Sequence, residues 1–306
     1  MMDNKRRVPS IDIVLNLFTQ EAVTNGWTGV DEHFKEQVRM PMEMRAGMSV
    51  EDYLRKMDRA GIEHALLIAV RAGDQRVQGS FAIPYEEIAK WCDLYPDRLS
   101  GLAGVDPYRG VQQLKDLDFA VKELGFVGAH LYPHWFKLPP DHALYYPLYS
   151  RCCELDIPIM MQVGQNLIYQ KEVRLPSVAK PILLDQVAID FPDLNLIGIH
   201  IGVPWTDEMI AMAWKHERVF IGLDAYAPKH IPASLLHYMN TYGQDKVMFG
   251  TDWPVIDPER AVDDMEAHDL REVPYGKVMR DTAVKLFKLE SRLKMRSPVA
   301  VPATDA

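Results

Sequence analysis

The sequence predicts an α/β chain closed as a single (β/α)8 TIM-type barrel, on three observations. Short β-branched apolar runs alternate with amphipathic segments, as in a parallel sheet covered by crossover helices. About eight such units fill the chain, and that number closes a barrel. Three of the runs end on a group with chemistry to offer. Met248-Phe249-Gly250-Thr251-Asp252-Trp253-Pro254 is a strand running into a carboxylate, stopped by a proline that has no N–H for the ladder. Leu196-Ile197-Gly198-Ile199-His200-Ile201-Gly202 ends on an imidazole. Phe126-Val127-Gly128-Ala129-His130-Leu131-Tyr132-Pro133-His134-Trp135 carries two more. A parallel barrel delivers every strand end to one rim, so the three stretches point to one site.

The units follow in order. Residues 11–15 form the first strand candidate, and 17–48 read as irregular around Trp27, Met40, Met42 and Met44. Ser49 caps a helix over 50–60, which Gly61 stops. Strands are expected at 62–70, 99–105, 126–132, 157–163, 195–200, 219–224 and 246–249, each a short apolar run. Helices fall between them at 84–94 before Pro96, at 111–124 before Gly125, and from a cap at Asp141 to about 155. Further helices are expected at 180–191 before Pro192, at 206–216, and at 232–242 before Gly243. Helices at 257–268 and 275–289 end the pattern. The barrel is assigned to residues 1–296 and a disordered tail to 297–306.

An open doubly wound sheet is the rival architecture. It needs a Gly-rich phosphate loop after an early strand, and Gly101, Gly104 and Gly110 have the wrong spacing for one. With 306 residues, 48% of them hydrophobic, the chain can bury a large core. Its net charge of −9 argues against the basic face that nucleic acid requires. Cys92, Cys152 and Cys153 make no disulfide framework and fit a reducing cytoplasm. The charged start, residues 1–7, precedes no long apolar run, so neither a secretion signal nor a membrane span is expected. The expected partners are a small-molecule substrate and, at most, further copies of the chain.

GTDWP at 250–254, IGIHIG at 197–202, GFVGAHLYP at 125–133 and DTAVKLFKL at 281–289 resemble the amidohydrolase-related superfamily. The similar branch contains aminocarboxymuconate-semialdehyde decarboxylase and related aromatic-acid decarboxylases and hydrolases. The resemblance spans residues 11–289 and implies the same barrel, with its site at the carboxyl ends of the strands. It also implies metal ligands that this chain lacks. The family carries His-x-His after an aspartate on its first strand. Here Asp12-Ile13-Val14-Leu15-Asn16 puts Val14 and Asn16 at those positions. The family's fifth strand ends in another metal-binding histidine, where this chain has Gln162. Valine cannot ligate, and a neutral amide is a poor ligand for zinc.

His200, Asp252 and His130 remain as catalytic candidates. Without a metal, no bound water is brought to a near-neutral pKa. The expected function is therefore acid–base chemistry on an activated small cyclic or aromatic carboxylic acid or lactone. His200 is the expected proton-transfer group, since an imidazole titrates near the working pH, and Asp252 is its partner. Asn16, Gln162 and His130 are expected to donate hydrogen bonds to a carboxylate or oxyanion. Tyr132, Trp135, Trp205, Tyr226 and Trp253 fall just beyond strand ends and offer aromatic walls to a flat ligand. Arg71, after the second strand, is placed to clamp a substrate carboxylate. No cofactor is expected, and zinc is the metal such a site would hold if it held one. Two other readings stay open: a metal-dependent hydrolase or decarboxylase with a reduced ligand set, and a non-catalytic binding protein that kept the barrel.

Overall fold

The computed structural model describes residues 8–166 and 173–295; the expected tail at 297–306 lies outside the described residues. Eight parallel strands make one sheet in chain order. They are β1 Ser10–Asn16, β2 Ile62–Ala69, β3 Leu99–Gly104 and β4 Gly128–Leu131, then β5 Ile159–Gln162, β6 Leu196–Ile199, β7 Val219–Gly222 and β8 Val247–Met248. The ring closes where the chain leaves β8 and runs along β1. Ile13 N–H donates to Phe249 O at 3.1 Å, Asp252 N–H to Val14 O at 3.0 Å, and Asn16 N–H to Trp253 O at 3.1 Å. The strands read as unbroken apolar runs because both faces are covered: all of β3 to β6 is buried.

The helix Val50–Ala60 shows how the outer layer is built. Ser49 Oγ accepts from Asp52 N–H, and Gly61 ends the helix with φ of 77°. Val50, Tyr53, Leu54, Met57 and Ala60 form its buried stripe, at the three- and four-residue spacing of one helical face. Segment 17–48 is more ordered than its lack of periodicity suggests. It holds short helices at Gln20–Thr24 and Glu32–Gln37, capped by the side chains of Thr19 and Asp31. The 275–289 segment is not one helix. It divides into Glu272–Gly276, a π turn at Lys277–Asp281 and Thr282–Phe287. No helix among the described residues is long and apolar enough to cross a membrane.

Gly104 shows how closely β2 and β3 approach near the rim. A Cβ at this position would lie 2.2 Å from Ala69 O and 2.5 Å from Arg71 N. Both atoms are backbone, so the neighbouring strand would have to move. Gly104→Ala is expected to destabilise the protein by about 1–3 kcal/mol. The reading is a lower denaturant midpoint with an unchanged slope. An unchanged midpoint would mean that the two strands have slack there.

Candidate metal centre

Three consecutive strands deliver the central cluster. His200 follows β6, Asp224 lies two residues past β7, and Asp252 stands in the loop after β8. The chain turns sharply at each point. His200 has φ of 69°, Asp252 has 53°, and Ala225, next to Asp224, has 66°. Non-glycine residues in the left-handed region are rare and cost of order 1–3 kcal/mol each. Here that conformation turns the three side chains toward one another. His200 Nε2 is 3.2 Å from Asp224 Oδ2 and 3.7 Å from Asp252 Oδ2. One ligating atom from each of the three lies within 4.8 Å of the others, and all three residues are buried.

The surrounding bonds fix the two carboxylates. Asp224 Oδ1 accepts from the His200 backbone N–H at 3.1 Å, while Oδ2 is buried and faces His200 Nε2. Asp252 Oδ1 accepts from Asn16 Nδ2 at 2.8 Å, and the same amide donates to Trp253 O at 2.9 Å. Asp12, on β1, holds the loop from below. It accepts from Thr251 N–H at 2.9 Å, Thr251 Oγ1 at 2.6 Å, Val14 N–H at 3.1 Å and Tyr53 Oη at 3.3 Å.

The electrostatics suit a cation. Burial raises the Asp252 carboxyl; His200 pulls it back down, and Asp224 pushes it further up. Burial works against charge on His200, but Asp224 and then Asp252 hold its pKa above the ordinary imidazole value. Donors about 2.0–2.2 Å from a shared ion lie roughly 3–4 Å apart, and both His200–carboxylate distances fall in that range. One imidazole and two carboxylates suit a divalent first-row metal, and three protein ligands leave a position open, as in catalytic sites. Asp224 Oδ2 is fully buried with His200 Nε2 3.2 Å away, so an ion seated between the two would satisfy both.

The expected site residues fall in different places. Asn16 and Gln162 both touch the cluster, Gln162 through Nε2 at 3.0 Å from His200 Nδ1. His130 on β4 is fully buried; among the described residues both ring nitrogens lack a partner, and burial and then His200 push its pKa down to about 3. Tyr132 packs edge-on against His130 at 4.3 Å, and burial, then Asp252 and Asp224, push its phenol well up. Tyr226 Oη accepts from Gln165 Nε2 at 3.3 Å. Trp253 is buried against Tyr53, with ring centroids 5.3 Å apart, and Trp135 packs edge-on to Phe81. Trp205 caps the helix Thr206–Lys215, with Lys180 Nζ 5.1 Å over its ring. Arg71 is engaged elsewhere. Its guanidinium donates to Gln113 Oε1 at 2.6 Å and Asp116 Oδ2 at 2.9 Å, over the Tyr85 ring. Asp224 is the residue that sequence reasoning missed. Its signal was present: an apolar run ending on a carboxylate, the same form as Asp252 but without a motif around it. A cavity of about 560 Å³ lies on the opposite rim, among residues such as Asn195, Arg218 and Lys246 that precede β6, β7 and β8.

Fold and cluster together define a (β/α)8 barrel with a candidate metal-binding cluster in its carboxyl rim. The chain belongs to the amidohydrolase family, an enzyme family whose sequence profile matches residues 28–289. It is similar to a gamma-resorcylate decarboxylase from Rhizobium sp. (strain MTP-10005). The two are 24% identical over 292 residues, covering 78% of this chain and 86% of that protein. An uncharacterized TIM-barrel protein from Bordetella bronchiseptica superimposes with a TM-score of 0.75 at 20% identity, covering 93% of this chain and 99% of that one. A dihydroxybenzoic acid decarboxylase from Polaromonas sp. JS666 superimposes with a TM-score of 0.70 at 20% identity, covering 94% and 99%. That structure contains manganese and the inhibitor 2-nitroresorcinol.

The expectation that the site needs no cofactor is corrected by these findings. It counted ligands at Val14, Asn16 and Gln162, where they are missing. It did not count Asp224, which completes a three-donor set with His200 and Asp252. The manganese in the Polaromonas enzyme points the same way.

Proposed function

We propose that the chain is a metal-dependent carbon–carbon lyase that decarboxylates a small aromatic acid, with a divalent cation held by His200, Asp224 and Asp252. The observation that carries this reading is the cluster itself: three buried ligating atoms within 4.8 Å at the carboxyl rim, two of them carboxylate oxygens. The Rhizobium relative acts on gamma-resorcylate, and this supports hydroxylated benzoic acids as the substrate class. When bound, the cation supplies Lewis-acid binding of substrate oxygens.

The chain's own residues supply orientation. Asn16 holds Asp252 with Oδ2 turned to the cluster. His130, kept neutral by burial, has one N–H and one lone pair without protein partners. Such a pair suits a phenolic hydroxyl or carboxylate of the substrate. Arg71 is already paired with Asp116, so recognition of the acid falls to the cation and to His130.

The test is turnover of a panel of hydroxybenzoic acids by chelator-stripped protein, with and without added Mn2+. Carbon dioxide release that depends on the metal is expected, with a loss of at least ~10²-fold on chelation, equivalent to a few kcal/mol of transition-state stabilisation. Turnover indifferent to chelator would overturn the metal dependence. Mn2+ binding without turnover of any acid would leave a binding protein.

A further inference from the structure

Among the described residues, two further buried atoms near the cluster have no hydrogen-bond partner: Gln162 Oε1 and His134 Nδ1. Both side chains are engaged at their other end. Gln162 Nε2 lies 3.0 Å from His200 Nδ1. His134 Nε2 lies 3.0 Å from Gly164 O. A carbonyl only accepts, so a neutral His134 carries its hydrogen on Nε2 and keeps a lone pair on Nδ1. Burial keeps this ring neutral, pushing its pKa down to about 4 against the Gly164 carbonyl and the nearby Gln162 amide.

The amide orientation matters to His200. With Nε2 of Gln162 donating, His200 Nδ1 must be bare. An imidazole that gives its Nε2 lone pair to a cation carries its hydrogen on Nδ1. Two N–H groups would then face each other across 3.0 Å. The two ends of an amide have the same shape, so their partners decide which way it points. Turning the amide over removes the conflict and presents an N–H on the side of the neighbouring His134 ring.

We propose that Gln162, with a cation seated, accepts from His200 Nδ1–H through Oε1 and donates through Nε2 to His134 Nδ1. His134 and Gln162 are then positioning residues. They form a strut from the Gly164 carbonyl to His200 that holds its Nε2 lone pair toward Asp224 and Asp252. Gln162, at the end of β5, serves the cation without touching it. The inference rests on the metal-dependent reading above.

The Mn2+ affinity of chelator-stripped protein tests it without reference to turnover. Gln162→Leu removes the acceptor and keeps the volume, and is expected to weaken binding by ~10–100-fold. Gln162→Glu keeps an acceptor for His200 Nδ1–H and is expected to bind at least as tightly as wild type. His134→Phe removes only the distal anchor, and a smaller loss of up to ~10-fold is expected. Thermal midpoints of the metal-free variants report damage to the fold separately. If Gln162→Leu fails to fold, Gln162→Glu and His134→Phe still decide. Wild-type affinity in both Gln162→Leu and His134→Phe would overturn the strut. So would a Gln162→Glu protein that folds but binds weakly. A wild type that binds no Mn2+ would sink the metal-dependent reading and this inference with it.

Discussion

Asp252→Asn is expected to lower kcat/KM on the eventual substrate by at least ~10²-fold and to weaken Mn2+ binding strongly, with no loss of stability in the metal-free protein. The asparagine can still offer its carbonyl oxygen to Asn16 Nδ2, which now bonds Asp252 Oδ1. That leaves an NH2 group facing His200 Nε2 and the cation position, where a carboxylate oxygen stood 3.7 Å away. The metal-free protein also loses one of two buried like charges, which relieves the repulsion from Asp224. Its thermal midpoint should therefore hold or rise. His200→Asn should lose turnover and Mn2+ binding in the same way, but its metal-free protein should melt lower, since the imidazole that offsets the two carboxylates is gone. The double variant should lose much less than the product of the two single losses, since groups acting as a unit are strongly non-additive. A fully multiplicative loss would mean that the two residues act separately. A metal-free Asp252→Asn protein that melts well below wild type would assign the residue to the fold rather than the site.

Asp12→Ala is expected to cost about 3–5 kcal/mol of stability, from the loop donors it would leave unpaired. Thr251 N–H, Thr251 Oγ1, Val14 N–H and Tyr53 Oη all point at this carboxylate from buried positions. Asp12 also gives a pH signature with a definite sign. Burial raises its pKa to about 6; the Thr251 and Val14 donors partly oppose this, and Asp224 adds to it. An unfolded aspartate titrates near ~3.9. Between about pH 4 and pH 6 the folded chain therefore holds a proton that the unfolded chain has released, so this group's contribution to stability falls as pH rises. Asp12→Asn removes the titration. The unfolding free energy of wild type minus that of Asp12→Asn should drop by roughly 1–3 kcal/mol across that window. A flat or rising difference would show that the donors outweigh burial.

The barrel was legible because buried parallel strands leave unbroken apolar runs, and the runs at 62–70, 99–105 and 195–200 match β2, β3 and β6 to within a residue or two. His200 and Asp252 were legible because each ends such a run with glycine and proline close by. Asp224 was not, for a physical reason. Which rim side chains lean inward depends on backbone turns such as the left-handed Ala225, and alanine carries no sequence signal for that conformation. The partners of Arg71 were hidden in the same way. Gln113 and Asp116 lie on the helix Val111–Lys122, more than forty residues away, and the pairing of β2 with β3 brings them alongside. The missing imidazoles at 14 and 16 were read correctly as residues. The inference drawn from them went wrong because a ligand set can be completed from a strand that no motif marks.

The seam of the ring has a mechanical meaning. β8 is two residues long, and the hydrogen bonds to β1 come mostly from residues 249–253 beyond it. One of those donors is the backbone N–H of Asp252, whose side chain belongs to the cluster. The clasp that fastens the cylinder and the jaw that would grip an ion are the same few residues. A fluctuation that unfastens the clasp carries a carboxylate away from His200 and dismantles the centre. Conversely, an ion gripped only when the cylinder is shut adds its binding free energy to the shutting. The seam, which would otherwise be among the first places to open, would become a place that a bound cation rivets.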